Sequence, residues 1–163
     1  MPNLAMKTLL ILCALAFAST CHAGPGKDGP DAGYPGRAIE DGTGIMLTVG
    51  DTVIPAVLND STASRALLQR LPLTLRLTRY EHDYCGVMSE PLPYGPEDVH
   101  SGWLNGDIAF TVNGNYFAIL YKDEEISQQY DGMVTLGALA CPLSVMDALD
   151  GSITVTIERE QSR

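Results

Sequence analysis

The chain has 163 residues, 45% of them hydrophobic, and carries a formal charge of −10. That length suits one domain with a short extension, and the composition suits a packed core rather than a disordered chain. The acidity argues against a nucleic-acid partner, whose phosphates need a basic face, and against adhesion to an anionic membrane surface; its simplest consequence is solubility.

Residues 1–23 carry the three-part pattern of a secretory leader. Lys7 precedes an apolar run from Thr8 to Ala18, and Ser19-Thr20-Cys21-His22-Ala23 ends with small residues at the cleavage positions. The run is too short to span a bilayer as a helix. Cleavage after Ala23 removes Lys7 and no acidic residue, which takes the charge to −11. The mature chain is expected to be periplasmic or secreted, with no transmembrane span. The alternative is a lipid anchor through Cys21, although Ala18-Ser19-Thr20 makes a poor lipobox.

Two of the four cysteines, Cys13 and Cys21, leave with the leader, so Cys85 and Cys141 remain. In an oxidising compartment such a pair usually bonds, and a disulfide between Cys85 and Cys141 is the expectation. Two separately buried thiols are the alternative, because bonding needs Cα atoms within reach.

Residues 24–43 are rich in glycine and proline and lack apolar periodicity, which predicts a flexible linker. Gly24-Pro25-Gly26-Lys27-Asp28-Gly29 matches G-x-G-x-x-G by letter. That dinucleotide motif works between a strand and a helix; no strand precedes it here, so it is rejected.

The domain spans 44–160. Ile45–Val49, a Gly50-Asp51 turn and Thr52–Leu58 predict a hairpin, with Pro55 at an edge or bulge. Asp60 or Ser61 caps a helix whose apolar face carries Ala63, Ala66, Leu67 and Leu71, and Pro72 stops it. Leu73, Leu75 and Leu77 alternate with polar residues, as do Ile153, Val155 and Ile157; both runs are strands with one buried face. Pro142–Leu149 allows a short helical turn. Between them, Asn113-Gly114 predicts a two-residue turn with positive φ at both positions. It would pair Val112 with Asn115, Phe110 with Phe117 and Ile108 with Ile119, turning these bulky groups inward. Ala109, Thr111, Tyr116 and Ala118 then form an outer face, a candidate groove floored by small residues. The fold expected is mainly β: a closed antiparallel barrel capped by one long and one short helix.

The order of these motifs is similar to that of the small bacterial and archaeal cyclophilin-like fold proteins. Leu58-Asn59-Asp60-Ser61, Pro91-Leu92-Pro93, Gly106-Asp107 and Leu136-Gly137 carry the resemblance, over residues 45–158. It implies a cyclophilin-like barrel and no established activity. The activity it brings to mind is peptidyl-prolyl isomerisation, in which an arginine after the first helix weakens an amide whose rotation barrier is ~18–20 kcal/mol. Arg76 lies on the corresponding strand with outward parity. Isomerases carry G-S-Q-F-F-I where this chain has Gly114-Asn115-Tyr116-Phe117-Ala118-Ile119, so Tyr116 and Ala118 replace a glutamine and a phenylalanine of their site. His100 and Trp103 precede the hairpin, in the wrong order for the isomerases' pocket pair.

Other chemistry finds little support. G-x-S-x-G, C-x-x-C and H-E-x-x-H do not occur. His82 and His100 survive leader cleavage, and nothing in the sequence places either beside a nucleophile. Glu81-His82-Asp83 point different ways in a strand, and Asp123-Glu124-Glu125 read as a solvated loop with calcium as the alternative. No cofactor or metal is expected. The reading is an exported, non-enzymatic module binding a small molecule or an extended peptide, with Arg76, Trp103 and Tyr116 as the ligand-binding residues. The alternative is a divergent prolyl isomerase acting on exported proteins.

Overall fold

A computed structural model describes residues 33–161. The expected leader with Cys13 and Cys21, and the G-x-G-x-x-G stretch, lie outside the described residues. Among those described, no helix is long and apolar enough to cross a membrane.

The alternating strands form where the apolar periodicity places them. Strands β1 (Thr43–Val49) and β2 (Thr52–Leu58) form the first hairpin, and its turn uses Gly50 at φ +57°. Helix α1 (Thr62–Gln69) follows; Ser61 is its cap, accepting from the Ser64 amide. The exposed Asp60 pairs with Arg65 at 3.1 Å instead. Then come β3 (Leu73–Arg79), β4 (Asp83–Val87), the two-residue β5 (Val99–His100), β6 (Asp107–Thr111), β7 (Tyr116–Leu120) and β8 (Met133–Leu139). The short helix α2 (Ser144–Asp147) precedes β9 (Ser152–Arg159).

The sheet runs β2-β1-β9-β3-β4-β7-β6-β8, and β8 returns to β2 to close an eight-stranded antiparallel barrel. Ile45, Leu47, Ile54, Leu77, Ile108, Phe110, Phe117, Ile119, Val155 and Ile157 fill the interior, all at 1% exposure or less. The β1–β2 register is unbroken, so Pro55 marks no bulge. It lies just outside the stretch of β2 paired with β8, where its missing N–H costs no ladder bond.

The second hairpin keeps the predicted register, Phe110 opposite Phe117 and Ile108 opposite Ile119. Its turn differs. The loop has four residues, Val112 to Asn115, and positive φ falls on Gly114 (+104°) and Asn115 (+57°) rather than on Asn113 and Gly114. The Val112 amide donates to Gly132 and Asn115 accepts from the Met88 amide, so neighbouring segments take the groups a tighter turn would pair.

The closing seam is short. β6 occupies one edge of β8, leaving the other to β5 at Met133–Val134 and to β2 at Gly137–Leu139. Between these contacts lies a bulge: Ile108 faces Gly137 and Ala109 faces Thr135, so Leu136 is an extra residue. Gly137 is required by close approach, since a Cβ there would stand 2.1 Å from the Val57 carbonyl oxygen. Gly137→Ala is therefore expected to force β2 off β8 and to destabilise the barrel by about 1–3 kcal/mol; urea unfolding of wild type and variant measures it.

Candidate functional site

The bulge leaves two carbonyls of β8 without strand partners. Asn59 and Ser64 take them. The Asn59 side-chain amide donates to Thr135 O at 2.8 Å, and its backbone N–H donates to Leu136 O at 2.8 Å. The Ser64 hydroxyl lies 2.8 Å from Leu136 O and 2.6 Å from Asn59 Oδ1, which also accepts from the Ser61 amide. The N-terminus of α1 is thereby pinned over the gap between β5 and β2.

A polar cleft of about 350 Å³ opens beside this latch, lined by Arg37, Asn59, Ser61, Asp98, His100 and Thr135. His100 Nε2 is 2.8 Å from Thr135 Oγ1, and Nδ1 is 3.2 Å from the Ser101 carbonyl. A carbonyl can only accept, so Nδ1 carries a proton; in the neutral form of the ring Nε2 then accepts from the threonine hydroxyl. The structure thus places a histidine beside a hydroxyl, which the sequence did not reveal.

Arg37 comes from the segment expected to be a linker. That expectation is corrected for its described part. Gly36 N–H donates to Asn105 O at 2.8 Å and Leu143 N–H donates to Gly33 O at 2.6 Å, strapping residues 33–36 to the domain. Arg37 grips the buried Asp107 with two bonds, Nε to Oδ1 at 2.8 Å and Nη2 to Oδ2 at 3.0 Å. That bond and the carboxylate charge outweigh partial burial and push the Arg37 pKa up, so the guanidinium stays charged. Asp107 also accepts from the Leu104 amide.

The three residues expected to bind ligand do not meet. Trp103 is buried, with Ala109, Ala118, Leu120 and Met133 in a second apolar cluster outside the barrel wall. Its Nε1 donates to Lys122 O at 2.8 Å, and its ring lies 5.7 Å from His82 and 5.3 Å from Tyr130. The expected groove over Ala109 and Ala118 is therefore filled, because segments 99–106 and 121–133 fold back over it. Arg76 and Tyr116 do face outward and are exposed; Tyr116 sits opposite the exposed Val87 of β4. His82 and Asp123, from the two acidic stretches, form a pair with Nδ1 to Oδ2 at 2.7 Å, while Glu124 accepts from the Asn105 amide. These acidic side chains hold the outer layer.

The expected Cys85–Cys141 disulfide is not formed. Cys141 belongs to the main core and Cys85 packs beneath the Trp103 cluster, so the two lie in separate layers.

Comparison with known proteins supplies the family context. The profile of the Cyclophilin-like family matches residues 47–158. No curated protein matches. A solution structure of a hypothetical protein from Archaeoglobus fulgidus is similar in fold, with TM-score 0.57 and 12% identity over 77% of this chain and 98% of that one.

Burial, and after it the charge of Asp83, push the Cys85 thiol up to about 12. An unfolded chain releases that proton near pH 8.5, as an ordinary thiol does. The folded state holds it more tightly, so the resulting stability is complete below about pH 8.5 and is lost as pH rises toward 12. Urea midpoints measured from neutral to alkaline pH should fall less steeply in Cys85→Ala than in wild type.

Proposed function

The chain belongs to the Cyclophilin-like family, and from that premise we propose that it is an exported, non-enzymatic module that binds a small polar ligand in the Arg37–His100 cleft. The leader pattern of residues 7–23 supports export. The observation that carries the binding reading is convergence. Arg37, Asn59, Asp98, His100 and Thr135 come from four separate stretches of chain and turn polar groups into one concavity. Its volume is in the range of small-molecule sites. The family-like motifs build this spot: Asn59 and Ser61 line it, Asp107 holds Arg37, and Leu136-Gly137 form the bulge behind it.

A second reading rests on the outer face at the other hairpin. Arg76, Val87 and Tyr116 are exposed there, on three different strands, and an arginine beside an aromatic suits an extended or prolyl peptide. Isomerisation is the less supported form of that reading, since Ala118 stands at a position of the isomerase pocket and is covered by the Trp103 cluster.

Thermal-shift screening of the mature protein against small polar compounds tests the first reading: hits whose stabilisation disappears in His100→Ala are expected. Hits abolished instead by Arg76→Ala would move the site to the outer face. A protease-coupled prolyl-peptide assay at micromolar protein is expected to stay at background, and a rate above it that depends on Arg76 would establish the isomerase reading.

A further inference from the structure

We propose that the ligand of the cleft is a small molecule bearing a primary ammonium group next to an oxygen, with the ammonium seated on Asp98, Thr135 and Ser61. This deepens the binding reading above and rests on it.

The hydrogen-bonding valences that the cleft leaves open select such a ligand. The Ser61 hydroxyl donates inward, to Ser64 Oγ at 2.9 Å. The Thr135 hydroxyl meets His100 Nε2, and with a neutral ring its proton is spent there. Ser61 Oγ also accepts from the Ser64 amide, so it keeps one lone pair, and neither oxygen has a proton to spare. Asn59 Oδ1 is consumed by Ser61 and Ser64. Asp98 uses Oδ2 to accept from Gly95 N–H at 3.1 Å, which orients the carboxylate and leaves Oδ1. What remains is an acceptor surface. On the donor side stand Nη1 of Arg37 and the second amide hydrogen of Asn59, since Nε and Nη2 of Arg37 are held by Asp107.

Charge points the same way. Arg37 is matched by Asp107 and Arg65 by Asp60. Asp98 takes part in none of the ion pairs among the described residues. With His100 neutral, Asp98 gives the cleft one negative charge outside those ion pairs, on a chain whose formal charge is −10. An anion would meet repulsion from both. A neutral polyol would leave the carboxylate without a counter-charge. An ammonium brings three donors and the missing positive charge, and an oxygen on the neighbouring carbon can take the Arg37 and Asn59 donors.

Three probes of one size separate these cases: 2-aminoethanol, ethylene glycol and glycolate. Each is titrated at millimolar concentration into the mature protein, with amide chemical shifts of residues 98–101 and 135 as the readout. The expected result is saturable shifts with 2-aminoethanol, and affinity about tenfold lower in Asp98→Asn. That variant keeps an oxygen for Gly95 N–H, so the loop is retained while the charge is lost; an unchanged unfolding midpoint checks this. Glycol or glycolate binding as tightly as the amine, or an amine affinity unchanged in Asp98→Asn, would overturn the ammonium assignment and leave the binding reading standing. No shifts with any probe, together with an empty thermal-shift screen, would overturn both.

Discussion

The structure depends on how two backbone carbonyls are satisfied. At the bulge of β8, Thr135 and Leu136 lie on an edge that neither β5 nor β2 reaches. A carbonyl buried there without a donor would cost about 1–3 kcal/mol. Asn59 supplies a donor to each, the Ser64 hydroxyl stands beside Leu136 O, and both residues belong to the turn that starts α1. One set of hydrogen bonds therefore closes the barrel, fixes the helix over its end and leaves a recess lined with polar atoms. The recess is a consequence of closure: strand pairing that ran unbroken along β8 would leave no room for it.

Packing occurs in two layers. Inside the wall, inward-facing residues of all the longer strands form the main core. Outside it, Trp103 covers Ala109 and Ala118, held by its bond to Lys122 and by the rings of His82 and Tyr130. Small residues on the outer face of β6 and β7 are what allow an indole to pack against the sheet. The Arg37–Asp107 pair joins the chain preceding the barrel to the same outer layer. A charge as buried as that of Asp107 needs a partner of this kind, and the pair also brings a guanidinium to the rim of the cleft.

These arrangements explain why Trp103, Arg37 and the cysteine pair depart from expectation while the strand faces read from periodicity do not. Trp103 reads as an exposed recognition aromatic because nothing near it in sequence shows a second apolar layer. Arg37 sits among glycines and prolines, which signal irregular backbone but not whether it is docked. Cys85 and Cys141 form a plausible pair by count, yet burial in different layers keeps them apart. Thr135 and His100 are 35 residues apart in the chain, and their contact exists because β5 pairs with β8.

The sequence by itself determined the strand faces, the first hairpin, the capped helix and the register of Phe110 on Phe117. Each follows from alternation or turn chemistry, which act over a few residues. Tertiary structure alone decided the closure of β8 on β2, the filling of the outer face by Trp103 and the assembly of the cleft. Those depend on segments far apart in the chain meeting in space, and a local pattern carries no record of which distant donor will satisfy a given carbonyl or which carboxylate will be left without a cation.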